Sequence, residues 1–257
     1  MKKAITINMS KAVQIGQIGK LAILASLMPI VASAVKADTV TLDEVPGYNG
    51  AGGGEFTAHT STDYTGNYNS AALLNGGFQT FCIETGVEFS PGSTYNYTLG
   101  NVSQPLTGGG TGSGLALSAG AAWLYYEFGT GSLNQFVYSG FTGPNSQRMQ
   151  EDNLVQAAIW AFQGGQTYNI NPYPGYTVPT TANNVYYAEA IAALGGLASA
   201  DSTYTGTSVQ ILQMWSNSND TGAAQNQLVL VPDGGMTVAL LGGSLVGLQS
   251  LRRKRVF

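Results

Sequence analysis

The chain has 257 residues, a formal net charge of −4, one cysteine and one histidine. Of its ten lysines and arginines only Arg148 lies between Asp38 and Leu230, and of its fourteen acidic residues only Asp233 lies outside that interval. So acidic and lysine-free a middle excludes nucleic acid, anionic membrane and anionic polymers as its partners. A lone Cys82 excludes an internal disulfide, and with only His59 beside it a Cys/His metal site lacks ligands, so no metal or cofactor is expected.

Residues 1–37 read as a signal peptide. Lys2, Lys3, Lys11 and Lys20 precede an apolar run, Leu21–Val31, and the small residues Ala32-Ser33-Ala34 and Val35-Lys36-Ala37 follow. Cleavage after Ala37 or after Ala34 satisfies the pattern; a cut between Ala37 and Asp38 opens the mature chain directly on a strand. The apolar run is short for a permanent anchor.

Residues 38–230 suffice for one domain with a real core. Their wealth of Gly, Asn, Ser, Thr and Tyr suits an extracellular, β-rich fold with many turns. Thr39–Leu42, Glu55–Thr60, Phe78–Glu84 and Tyr95–Thr98 alternate as strands, while Gly50–Gly54 and Thr107–Gly114 read as glycine-rich loops. In Phe78–Glu84 the alternation puts Phe81 and Ile83 on one face and Thr80, Cys82 and Glu84 on the other.

Helical periodicity follows. Leu115–Phe128 places Leu117, Ala121, Leu124 and Phe128 on one face. Ser146–Gln163 begins at a capping Asn145 or Ser146, carries Glu151 and Asp152 early, where the helix dipole favours them, and stops at Gly164-Gly165. The prolines of Asn171–Pro179 make a loop. Thr181–Leu197 is a third helix, ended near Gly195-Gly196, and Val209–Trp215 and Gln227–Val231 return as strands that complete the first sheet. The expected fold class is α+β: a β-rich sandwich or barrel with a helical insertion of about three helices, flanked by an N-terminal signal helix and a short C-terminal hydrophobic helix.

Residues 231–257 form a tripartite tail: Val231-Pro232-Asp233-Gly234-Gly235, an apolar stretch Met236–Leu251, and the basic stop Arg252-Arg253-Lys254-Arg255 before Val256-Phe257. The apolar stretch is shorter than the ~20 residues of a stable span and contains Gly242, Gly243 and Gly247, which suits a transient membrane stop. The basic cluster stays cytoplasmic and leaves the rest of the chain outside. The tail resembles the PEP-CTERM class of sorting signals, most of all the variant with a Val-Pro-Asp-Ser-Gly core: Val231, Pro232 and Asp233 match, and Gly234 stands in place of serine. The resemblance implies a Gram-negative-type envelope, an exosortase as partner, and cleavage near Pro232–Gly235 with release or attachment to surface polysaccharide.

A second signal lies in Leu154-Val155-Gln156-Ala157-Ala158-Ile159-Trp160. Gln156 shares an apolar helical face with Ile159 and Trp160, and a buried carboxamide needs partners. Phe81-Cys82 and Gln156-Ala157-Ala158-Ile159-Trp160 together resemble the thioester domains of bacterial surface proteins, in which a cysteine after an aromatic residue bonds to a glutamine in a Thr-Gln-x-x-(apolar)-Trp helix; Val155 replaces the threonine. The resemblance implies that the Cys82 thiolate attacks the Gln156 carboxamide, expels ammonia and leaves an internal thioester for an amine-bearing target. This happens once per molecule, so the protein is not a turnover enzyme. A buried thiol is a poor nucleophile, and Glu84 or His59 are candidates to take its proton. The absence of lysine limits self-acylation, although an acidic secreted composition explains it equally. Taken separately, Cys82 reads as a small buried hydrophobe and Gln156 as a core glutamine.

Other candidates are weaker. Glu84 and Glu88 form a carboxylate pair only if the fold sets their separation. Cys82 with His59 lacks any thiol-hydrolase motif. Trp123 reads as core, and Tyr125 and Tyr126 as surface contacts for sugar rings. Gly108-Gly109-Gly110-Thr111-Gly112 lacks the lysine of a phosphate loop. The sequence therefore reads as an exported, non-enzymatic surface or matrix protein that adheres through a Cys82–Gln156 thioester. The alternative is a structural or carbohydrate-binding matrix protein without that bond.

Overall fold

A computed structural model describes residues 38–46, 48–50, 53–85, 87–103, 114–139, 147–164, 183–216 and 222–232, all within the unit Lys36–Phe257. The signal peptide up to Ala37, Asp233–Phe257 of the sorting tail, the loop Asn171–Pro179 and the capping candidates Asn145 and Ser146 lie outside these residues.

Strands come first: β1 (Asp38–Asp43), β2 (Asn49–Gly50), β3 (Gly53–Gly54), β4 (Phe56–Thr60), β5 (Leu73–Leu74), β6 (Gly77–Thr80) and β7 (Thr94–Gly100). Helices α1 (Ala119–Thr130), α2 (Gln147–Phe162), α3 (Val185–Ala193) and α4 (Leu197–Ala200) follow, and β8 (Val209–Trp215) and β9 (Gln227–Leu230) end the domain. The fold is α+β. Seven strands form one antiparallel sheet in the order β5-β6-β4-β1-β7-β8-β9.

Strand β1 shows why the sheet forms: its side chains alternate, Val40 and Leu42 fully buried and their neighbours partly exposed. It lies between β4 and β7, with Val40 opposite both Thr60 and Tyr95. All four helices lie between β7 and β8, yet those strands pair directly, Leu99 opposite Leu212. The helical region is thus an insertion, and the late strands complete the early sheet.

The run after β6 does not stay on its own edge. Leu228 N–H donates to Phe81 O at 3.2 Å, Ile83 N–H to Asn226 O at 3.0 Å, and Thr80 Oγ1 to Leu228 O at 2.6 Å. Cys82 bridges Gln227 between them. The stretch Phe81–Ile83 therefore lies along β9, the far edge of the sheet.

Helix boundaries follow their caps. Ser118 Oγ accepts from Ala121 N–H at 3.2 Å, so α1 begins at Ala119 and not at Leu115. The preceding residues are extended instead, Ser103 N–H bonding Leu115 O and Leu117 N–H bonding Asn101 O, each at 2.8 Å. Helix α3 begins at Val185, not Thr181, because Asn184 Oδ1 accepts from Tyr186 and Tyr187 N–H, both at 3.1 Å. Its C-terminal end meets Gly195 and Gly196, after which the chain turns once more as α4. The expected strand through Glu84 stops at Thr80, and Gly50–Gly54, expected as a loop, contributes the short hairpin β2–β3.

Helices α1 and α2 approach closely: a Cβ on Gly120 would stand 2.7 Å from the Phe162 ring. The core between sheet and helices gathers Phe81, Ile83, Leu117, Leu124, Phe128, Val155, Ile159 and Ile211. Tyr125, expected at the surface, is fully buried there; its hydroxyl pairs with that of Tyr68 at 2.7 Å and donates to Gln79 O at 3.0 Å. Among the described residues no helix is long and apolar enough to cross a membrane.

Candidate functional site

Helix α2 carries Arg148, Asp152, Gln156 and Trp160, each four residues after the last. Such a series drifts only about 40° per step around a helix, so the four form one stripe. All are buried, at 1%, 0%, 0% and 1% exposure. The stripe faces the segment Gly54-Glu55-Phe56 and the run Phe81–Glu84.

At its centre the structure brings together the two residues singled out in sequence. Gln156 Oε1 accepts the Cys82 N–H at 2.9 Å, and Gln156 Nε2 donates to Cys82 O at 2.8 Å. Gly54 N–H adds a third, longer bond to Oε1 at 3.4 Å. Gly54 has φ 124°, a conformation natural to glycine, which lets the hairpin backbone come this near. The carboxamide thus lies across the Cα of Cys82, whose side chain begins at that atom. Phe56, Cys82 and Trp160 form a small apolar cluster apart from the main core, with Phe89 and Ala157 packed on it. Val155, where the resembled motif has threonine, is buried in the main core.

The sulfur has its own partner, which the sequence reading did not single out. Gln227 Nε2 donates to Cys82 Sγ at 3.3 Å, and more weakly to Gln225 O at 3.4 Å. Gln227 is fully buried, and its Oε1 has no hydrogen-bond donor among the described residues. Burial pushes the Cys82 thiol up; the Gln227 N–H opposes this, and the charge of Glu84 adds to it. Glu84 is no base poised at the thiol. Its carboxylate accepts from Asn226 Nδ2 at 2.7 Å and Asn226 N–H at 3.1 Å, and burial raises it while these bonds lower it.

One turn before Gln156 lies a charged cluster. Arg148 meets Glu55 through two bonds, Nε to Oε2 at 2.7 Å and Nη2 to Oε1. The guanidinium also donates to Tyr138 O and Ala71 O and lies over the rings of Tyr48 and Phe136. Apart from the Glu55 carboxyl, no donor among the described residues reaches either carboxylate oxygen of Asp152. Burial, and then the Glu55 carboxyl opposite, hold Asp152 well above the usual carboxylate range. Glu55 is raised by burial against the pull of Arg148. Two carboxyls beside one guanidinium, with no other donor, are neutral when they share one proton.

Other sequence candidates are not brought here. His59 Nε2 pairs with Asp43 at 3.3 Å, both side chains partly exposed. Glu84 is buried and Glu88 exposed, so they do not form a convergent carboxylate pair. Trp123 is half-buried against the core and Tyr126 is exposed. Two turns beyond Gln156, Gln163 repeats the same kind of grip, its Oε1 accepting from Ser118 N–H at 2.7 Å and its Nε2 donating to Ala116 O at 3.3 Å. A signal for the stripe was present in the i, i+4 spacing of Arg148, Asp152, Gln156 and Trp160, and for Gln227 in a polar residue heading an apolar strand. Compared with known proteins, the chain matches no family model, no curated protein and no solved structure.

Proposed function

We propose that this is an exported surface or matrix protein that captures an amine-bearing target through an internal thioester between Cys82 and Gln156. The observation that carries the proposal is the two-point seating of the Gln156 carboxamide on the backbone of Cys82, which packs with Phe56 and Trp160. In forming the thioester, the sulfur bonds to the Gln156 carbonyl carbon, the C–N bond breaks, and the thiol proton leaves with ammonia. In capture, an amine nitrogen bonds to that carbon, the C–S bond breaks, and the amine's proton returns to sulfur. Each molecule reacts once, so the protein is not a turnover enzyme.

Export rests on the two ends of the sequence: the signal peptide cut at Ala37–Asp38, and the PEP-CTERM-like tail from Val231 to Arg255, read by an exosortase after transient membrane retention. For the finer fold we favour a barrel over a sandwich; the bonding of Phe81–Ile83, which continues from β6, to β9 supports that reading.

Intact mass of the purified ectodomain, before and after methylamine, tests the bond. A mass short by one ammonia, with methylamine then added across the thioester, is expected. The full mass with Cys82 alkylated on unfolding, as a free thiol, sinks the proposal. Truncation after Leu230 tests the tail; an unchanged distribution between cell envelope and medium would contradict sorting. The competing reading is a structural or carbohydrate-binding matrix protein, and it draws on one feature: the intact Gln156 amide already satisfies both of its ends on Cys82.

A further inference from the structure

We infer that Gln227 is a catalytic residue of the thioester, its Nε2–H stabilising negative charge on the Cys82 sulfur whenever the C–S bond is made or broken. The inference rests on the thioester reading above. Gln227 comes from β9, remote in sequence from both Cys82 and Gln156, and its carboxamide meets Sγ at 3.3 Å.

The side chain is poorly explained as mere packing. It is fully buried, and its Oε1 has no donor among the described residues. A buried carbonyl left unpaired is a standing penalty that methionine, of similar length, would not incur. What methionine lacks is the N–H, and that N–H points at the sulfur. The second contact of Nε2, to Gln225 O at 3.4 Å, is the longer of the two.

The chemistry needs a donor at that place. When an amine attacks the Gln156 carbonyl carbon, the bonding pair of C–S moves onto sulfur. The amine's proton must travel to the same atom, so sulfur carries negative charge in between. Around it are Phe56, which cannot solvate an anion, and Glu84, whose charge opposes one. A fixed donor in such a dry site lowers the barrier without reorganising. In the forming direction, the same N–H stabilises the thiolate that attacks.

The experiment compares wild type with Gln227→Met and Gln227→Glu. Thioester content is read by intact mass, and the rate of methylamine uptake by mass against time. Gln227→Met is expected to keep or raise thermal stability, since the orphan carbonyl is gone, and to slow methylamine uptake by about tenfold, the equivalent of one hydrogen bond in the transition state. A folded, thioester-containing Gln227→Met that reacts at the wild-type rate overturns the inference and leaves the thioester standing. A wild type that never loses ammonia overturns both. Should Gln227→Met not fold, Gln227→Glu decides. Its protonated carboxyl donates to sulfur and its ionised form repels it, so its rate relative to wild type must fall as pH rises through that ionisation. A ratio constant with pH overturns the inference.

Discussion

Gln156 closes hydrogen bonds on both sides of Cys82, taking its N–H at 2.9 Å and giving to its C=O at 2.8 Å. The grip is on the backbone, so the cysteine's side chain is not what holds the helix to the strand. Backbone atoms alone fix the position of Cys82 on the helix, and the sulfur is left out of that grip.

That separation can be measured. Gln156→Ala leaves a buried N–H and a buried C=O unpaired and is expected to cost about 1–3 kcal/mol for each group that finds no new partner. Cys82→Ala keeps both backbone bonds and loses a small side chain with its contact to Gln227 Nε2, which retains Gln225 O, so it should cost less, about 1 kcal/mol. Urea unfolding of the two variants checks the order; equal losses would show that the grip contributes little.

Asp152 and Glu55 make stability depend on pH. Both are raised in the folded protein, Asp152 the more strongly. Their stabilising contribution is complete below the ordinary carboxyl range of the unfolded chain and is lost as pH rises through the raised folded values. Asp152→Asn, which cannot ionise, is expected to flatten this decline and to be more stable than wild type at neutral pH. Thermal melts from pH 4 to pH 8 test it; a wild type that gains stability across that range contradicts the shared proton.

Arg148 is the sole cation of the region from Asp38 to Leu230, and it is spent on Glu55 inside the fold. Removing one partner of a buried pair strands the other, at roughly 3–5 kcal/mol. Arg148→Met should therefore unfold far more readily than wild type, and the double variant Arg148→Met/Glu55→Gln should recover part of the loss. Denaturant midpoints of the single and double variants complete the cycle.

Lysines added at the surface test the thioester from outside. Val102, Val185 and Leu197 are exposed at 46%, 48% and 47%. Replacing them with lysine is expected to yield covalent dimers on denaturing gels, absent when the protein is first treated with methylamine. No rise in dimers would remove the link between the missing lysines and the reactivity of Cys82.

The sheet and helices were legible where periodicity was clean. Strand β8 and the core face of α1 follow from the spacing of Val209–Trp215 and of Ala121, Leu124 and Phe128, but Leu117 precedes the helix, and the face read from Gln156, Ile159 and Trp160 divides, Ile159 entering the main core and Trp160 the cluster with Cys82. Boundaries were missed where a cap competed with periodicity, as at Ser118 and Asn184. The pairing of Cys82 with Gln156 was legible because each had a short local motif. The partner of Arg148 was not, since many acidic residues were equally eligible and only the turn from β3 to β4 selects Glu55. For Gln227 only its place as a polar residue heading an apolar strand was legible; that it meets Cys82 depends on β9 lying against Phe81–Ile83, a long-range pairing. His59 was attractive only as the single histidine, and the β1–β4 register gives it to Asp43.

The seam between Phe81–Ile83 and β9 also sets an order of events. Synthesis delivers Cys82 early, Gln156 midway and Gln227 just before Val231-Pro232. Until β9 has left the ribosome, the sulfur lacks its N–H donor and the run Phe81–Ile83 lacks its neighbouring strand. The arrangement of Cys82, Gln156 and Gln227 is therefore assembled last, when the segment that follows β9 is already being made. On the thioester reading proposed above, a nascent chain meets the cell's abundant amines before Cys82 has its N–H donor, and becomes reactive only as folding ends.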